Sequence, residues 1–141
     1  MVKILREAEY GDRLPPPCPS AQLINVQKEA MAKLDVQLPE EYLEFLRVHD
    51  GLDWNGLQVY GAEDYESSPE KIMGVVEVNL IRRDAPGWDE HLCLAESGDD
   101  SYGVRLEDGR FCGIDVVSGD VFEEYESFDH MISSVLRELL E

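Results

Sequence analysis

Positive charge is what this sequence has least of: 12 Lys and Arg stand against 31 Asp and Glu in 141 residues, a formal net charge of −19. A field of that sign repels nucleic acid and anionic membrane, and it speeds encounter with basic proteins by about 10- to 1000-fold. Long apolar runs are missing as well. No stretch approaches the ~20 apolar residues that span a bilayer, and the N-terminus carries charges and Leu-Pro-Pro-Pro-Cys-Pro where a secretory signal would carry an apolar core. A cytoplasmic protein is expected. The three cysteines, Cys18, Cys93 and Cys112, are odd in number, widely spaced and without a CxxC pair, which signals neither a disulfide framework nor a zinc site. Cys93 and Cys112 lie in apolar runs and read as core residues.

Catalytic punctuation is equally sparse. There is no GxSxG elbow, no GxGxxG or P-loop, no HExxH and no D-x-D-x-D-G calcium loop. His49 falls on the apolar stripe of a predicted helix, His91 opens a predicted strand and His130 sits in the first turn of the last helix; all three read as structural. No metal and no cofactor is expected. Among 31 carboxylates some pair will always be close, so a glycosidase-type pair can be judged only from its spatial separation.

What is present is a foldable chain. It is 43% hydrophobic, too much for a disordered acidic tail, and its length suits one domain burying roughly two thirds of its unfolded surface. The acidity is concentrated late: residues 84–141 hold 16 acids against 3 Arg, a net of −13, whereas residues 1–83 hold 15 against 9, a net of −6.

The elements separate by period and punctuation. Residues 1–19 read as a short helix, near residues 2–9, followed by the stiff connector "GDRLPPPCPS", whose consecutive prolines favour polyproline geometry. Residues 20–141 form the domain. Ser20 is a candidate cap for a helix over residues 20–36, with Leu23, Ile24, Ala30, Met31 and Leu34 at helical spacing. Pro39 suits the start of a second helix, residues 39–49, where Glu40 and Glu41 complement the dipole and Tyr42, Phe45, Leu46 and His49 form a stripe; Asp50-Gly51 ends it. Leu57 to Tyr60 reads as a strand. Residues 72–83, "IMGVVEVNLIRR", fit both alternation and an i, i+4 repeat, so period does not decide between strand and helix. Then "HLCLAE", "YGVRLE", "FCGIDVV" and "VFEEY", separated by Gly-rich turns, read as four antiparallel strands in a meander. A helix over residues 127–140, capped by Ser127, closes the chain with Phe128, Met131, Ile132, Val135, Leu136 and Leu139 on one face. The fold class is α+β, one domain with an antiparallel sheet of four to six strands packed with helices.

"LPEEYLEFLRVHDGLDWNGLQVYG" resembles the signature of the SUKH superfamily (Smi/Knr-like): Leu-Pro, an acidic residue, an aromatic and a Phe-Leu pair lead through a Gly into a Gly-Leu strand. Leu38, Pro39, Tyr42, Phe45, Leu46, Gly51, Gly56 and Leu57 carry the match, and the downstream order of elements is similar over residues 20–140. The sequence departs from the pattern at "SGDDSYGV", where many relatives carry a Gly-Gly or Gly-Asp-Gly turn. The resemblance tips residues 72–83 toward a helix. It implies a bacterial immunity protein that binds and neutralises a cognate polymorphic toxin, often a nuclease, though the superfamily also includes a fungal cell-wall assembly regulator. A basic nuclease would be attracted by an acidic surface, and an immunity protein has no reaction to catalyse.

The candidate partner-binding residues are carboxylates and aromatics in loops: Asp53, Trp54 and Asn55; Glu63, Asp64 and Tyr65; Asp99, Asp100 and Tyr102. Trp54 is either a surface anchor or a lid on the core. The expected partner is a basic toxin domain, with no nucleic acid and no membrane. The alternatives are a regulatory or scaffold module of the same fold and a small enzyme using clustered carboxylates.

Overall fold

A computed structural model describes residues 15–69 and 71–140; the short helix expected near residues 2–9 and the start of the connector lie outside the described residues. The chain is an α+β domain in which six antiparallel strands follow one another in sequence order across a single sheet. The helices are α1 (Ser20–Glu29), α2 (Glu40–Val48), α3 (Val75–Arg82) and α4 (Phe128–Leu140); the strands are β1 (Leu52–Trp54), β2 (Leu57–Val59), β3 (His91–Ser97), β4 (Asp100–Arg105), β5 (Phe111–Asp115) and β6 (Val121–Tyr125).

The prolines of the connector lie against the end of α2. The N–H of Cys18 donates to the Leu46 carbonyl at 2.8 Å, that of Asp50 donates to Pro16 at 2.9 Å, and His49 Nδ1 donates to Pro15 at 2.7 Å. One carbonyl of the last turn of α2 thereby gains a partner that the helix itself cannot supply. Ser20 is the first residue of α1 and caps nothing: Pro19 holds the cap position without a side-chain bond. The helix widens to π geometry over Ala30–Leu34 and stops at Asp35, in the left-handed conformation at φ 56°. Leu23, Val26, Ala30 and Leu34 are buried, while Ile24 and Met31, expected on the same face, are 52% and 45% exposed. The buried set is the i, i+3, i+7, i+11 row, and Ile24 and Met31 follow it by one residue, about 100° around the axis.

Helix α2 presents Tyr42, Leu43, Phe45 and Leu46 inward, with Glu40 and Glu41 in the first turn; His49, expected on this stripe, lies past the last turn in extended conformation. Helix α4 starts where expected, its cap made by Ser127 Oγ accepting from the His130 N–H at 3.0 Å. Its row of Phe128, Met131, Ile132, Val135 and Leu136 is buried. The two helices cover one face of the sheet. Phe128 meets Tyr42 and Phe45 edge-on, each at 5.8 Å, and Phe111 of β5 at 6.2 Å. Cross-strand partners share a face, so Val104 and Tyr125, which pair with Phe111, face the helices too. Cys93, Gly103 and Cys112 are in register on the other face. All three cysteines are free and buried.

Two elements differ from the reading of the sequence or complete it. Residues 52–59 form a β-hairpin: Asn55 and Gly56 both take positive φ, 50° and 91°, as a two-residue turn of type I′ requires. "LDWNGLQV" holds the signal, an Asn-Gly flanked by alternating apolar residues, and the stretch around Trp54 is a strand end where a loop was expected. Residues 75–82 are helical.

Candidate functional site

Three turns meet at one end of the sheet. Leu57 pairs with Ser97, which sets the Asn55-Gly56 turn beside the Gly98-Asp99 turn. The N–H of Val116 donates to the Asp99 carbonyl at 2.9 Å, which brings in the turn of residues 116–120. Asn55 Nδ2 donates to the Leu139 carbonyl at 3.2 Å, fixing the end of α4 there. Asp53, Trp54 and Asn55 are thus brought together with Asp99, Asp100 and Tyr102. Glu63, Asp64 and Tyr65 are not. They follow β2 in the direction that leads away from the Asn55-Gly56 turn, and they are held elsewhere: Gln22 Nε2 donates to Glu63, and the Tyr65 N–H donates to Glu77 Oε1 at 3.0 Å.

Burial sorts the candidates again. Asp53, Asn55 and Asp99 are exposed. Trp54 and Tyr102 are only 8% and 3% exposed, and both belong to the core. Trp54 is therefore a lid on the core, since the turn residues Asn55 and Gly56 take the outermost place. The apolar surface at this end comes from residues that the sequence reading passed over. Val117 is 85% exposed, Phe122 50%, and Val116 and Val121 36% each. They surround the β5–β6 turn, and the signal for them was adjacent valines entering a Ser-Gly turn, where polar residues are the rule.

Charge divides the sheet lengthwise. At the β4–β5 end, Arg105 bonds Asp108 at 2.7 Å and Glu124 at 2.9 Å, and Arg110 reaches Glu124 at 3.2 Å. The Arg105 guanidinium, with help from the Arg110 N–H, holds the Asp108 carboxyl down to about 2. At the opposite end, Asp53, Asp99, Asp100, Asp115 and Asp120 take part in no ion pair with any described residue. The hydroxyl of Tyr102 feels this field: burial raises its pKa most, and Asp100, Glu138 and Glu123 raise it further.

The nucleophiles and bases are placed as structural groups. Burial pushes the Cys18 thiol up to about 12, with Asp50 and Glu63 adding to it, and the Cys112 thiol up to about 11. His91 is buried and its pKa is lowered, chiefly by that burial. His130 Nδ1 accepts from the Glu126 N–H at 3.3 Å. Among the described residues no group of three or more His, Cys, Asp or Glu is placed to hold a metal ion. What the acidic end can do is attract a cationic surface at long range and cover its apolar residues on contact.

The fold has a known counterpart. A crystal structure of a protein from Pseudomonas syringae pv. tomato superposes with a TM-score of 0.68 over 96% of this chain and 96% of that one, at 23% identity, a likeness of fold alone. A comparison with curated proteins found no match. The model of the SMI1 / KNR4 family (SUKH-1) matches residues 19–134, a span that runs from the start of α1 into α4 and includes every strand. The chain belongs to the SMI1 / KNR4 family (SUKH-1).

Proposed function

We propose that this chain is a non-enzymatic protein-binding domain, an immunity protein that neutralises a cognate bacterial toxin in the cytoplasm by docking a basic surface of that toxin on the acidic end of its sheet. The observation that carries the reading is the convergence of Asp53, Asp99, Asp100, Asp115 and Asp120, none of them ion-paired among the described residues, around exposed Val116, Val117 and Phe122. Carboxylates supply attraction over a Debye length, about 8 Å at physiological salt, and the apolar residues supply buried contact. Membership of a family known for protein-binding domains supports it, as does the net charge of −19, which suits a cationic nuclease surface and repels the nuclease's own substrate. No helix among the described residues is long and apolar enough to cross a membrane.

The reading expects a toxin gene next to the one for this chain, and co-expression with the toxin domain found there provides the test. Growth should be restored by the wild type and not by a chain carrying Asp99→Lys and Asp100→Lys, with the purified pair separating at high salt. Absence of rescue together with absence of binding would remove the toxin reading. Capture of a host regulatory protein in place of a toxin would make the chain a scaffold module.

A further inference from the structure

We infer that the outer edge of β6 is the contact strand of this protein, and that its occupant is a basic, extended segment of the partner which adds to the sheet as a seventh, main-chain-bonded strand. The inference deepens the protein-binding reading above and rests on it.

Strand β6 closes the sheet: it pairs with β5 on one side and with no described strand on the other. Its pairing fixes which groups point outward. The Asp115 N–H donates to the Asp120 carbonyl at 2.9 Å, so the next pair, Ile114 with Val121, is a non-bonded one, and the N–H and carbonyl of Val121 turn away from β5. Val121, Phe122, Glu123 and Glu124 are all exposed. The strand carries no Pro and no Lys; its guards are a bulge at Phe122, where the register against Gly113 and Ile114 shifts, and the charges of Glu123 and Glu124, which a basic strand would neutralise. The other edge is poorly suited to the same use, because β1 has three residues and its turn is tied to α4 through Asn55 and Leu139.

Phe122 is the anchor beside this edge. Its ring lies over Gly113, where a Cβ would come within 2.5 Å of Cζ, and it meets Tyr102 edge-on at 6.2 Å, yet half of its surface remains open. A strand laid along β6 would cover that open half and the neighbouring Val121. The charge of the edge selects the occupant. Asp115, Asp120 and Glu123 flank it without an ion pair among the described residues, while Glu124 is already neutralised by Arg105 and Arg110. A second copy of this chain would set like charges across the new pairing, which is destabilising, and would bring together two bodies of charge −19. A strand bearing Lys or Arg at alternate positions meets the opposite condition.

The test uses a short synthetic peptide alternating lysine and valine, and a second peptide of the same sequence with alternate backbone nitrogens methylated. Both have the same charge, but the methylated one lacks the N–H groups that strand addition needs. Hydrogen exchange of the full chain should show the Val121 amide slowed by on the order of tenfold or more with the first peptide and unchanged with the second. Val121→Pro, which removes an outward N–H that the β5 ladder does not use, should weaken binding of the first peptide by about tenfold while leaving the thermal melt close to wild type. Equal binding of both peptides, binding without protection of β6, or no binding of either would overturn the inference. So would protection of β6 in the absence of peptide accompanied by a concentration-dependent dimer, which would put a second copy on this edge. Protection absent while the toxin domain still binds and restores growth would sink the edge assignment alone; protection present without rescue would remove the toxin and keep the edge.

Discussion

The side chain of Asn79 in α3 bonds both main-chain groups of Cys93: Nδ2 donates to the Cys93 carbonyl and Oδ1 accepts from the Cys93 N–H, each at 2.8 Å. Strand β2 is too short to do this. Its side of β3 is last served by the Tyr60 N–H, which donates to the Leu94 carbonyl at 3.0 Å, and the register of β3 shifts between Cys93 and Ala95. Beyond that point one amide side chain takes the place of a strand, and its second Nδ2 proton goes to the Val75 carbonyl at 2.8 Å. Asn79 is 1% exposed, so each of these groups would otherwise be buried without a partner.

Replacing Asn79 with Leu should therefore cost about 2–4 kcal/mol, the desolvation of two main-chain groups left unpaired, partly offset by the apolar side chain. Urea denaturation should show a lower midpoint at an unchanged slope. A midpoint within error of wild type would mean that water serves Cys93 equally well.

Two glycines of the sheet should respond differently to alanine. At Gly103 a Cβ would lie 2.0 Å from the Leu92 carbonyl oxygen, which is backbone and cannot move aside without breaking the β3–β4 ladder. At Gly113 the obstacle is the far end of the Phe122 side chain, which is half exposed and has solvent to yield into. Gly103→Ala should cost about 3 kcal/mol or more and Gly113→Ala about 1 kcal/mol. Paired thermal melts decide it, and equal losses would contradict the argument.

Asp50 gives a pH dependence of defined sign. Burial raises its carboxyl above the ordinary 3.8, with the Ala62 N–H pulling the other way. The native chain thus holds this proton more tightly than the unfolded chain. The contribution to stability is fully present below 3.8 and is lost as pH rises through the raised native value. At neutral pH the half-buried charge is a cost. Asp50→Asn keeps an oxygen for the Ala62 N–H, now 2.9 Å from Asp50 Oδ1, and should raise Tm at neutral pH while flattening the change of Tm just above 3.8. A lower Tm at neutral pH would reverse the sign assigned here.

Trp54 and Val117 should separate stability from binding. Trp54→Ala empties a core position and should cost about 3–5 kcal/mol. Val117→Asp changes a side chain 85% exposed and should leave stability within about 0.5 kcal/mol while weakening capture of the proposed basic partner. The comparison needs one denaturation curve and one binding isotherm per variant.

Reversing the charge of Asp99 and Asp100 should slow association with a basic partner and flatten its salt dependence, with a small effect on dissociation. Surface-immobilised kinetics at low and high salt would measure both rates. An association rate insensitive to salt in the wild type would assign the acidity to solubility.

The sequence by itself determined those parts of the molecule whose signal is local. The stripes of α2 and α4, the Ser127 cap and the glycines of the β4–β5 and β5–β6 turns follow from spacing, because a helix or a tight turn is closed within a few residues of itself. Residues 72–83 were beyond that reach. Val76, Val78 and Leu80 satisfy a strand and Ile72, Val76 and Leu80 a helix, and the choice is bound up with the long-range bond of Asn79 to Cys93, 14 residues on. The acidity of the C-terminal half was also legible as a total, and the carboxylates of the candidate surface were named in part. Which of them remain free of ion pairs was a tertiary matter: Asp108 and Glu124 lie beside Arg105 and Arg110, whereas Asp99, Asp115 and Asp120 are carried by turns at the other end of the sheet. Likewise the choice between anchor and lid for Trp54, and the burial of Tyr102, were settled by the sheet, and the exposure of Val117 and Phe122 by the last hairpin. A residue's period is set by its neighbours in the chain, but its exposure and its charge partners are set by strands paired across the sheet, and no local pattern encodes that pairing.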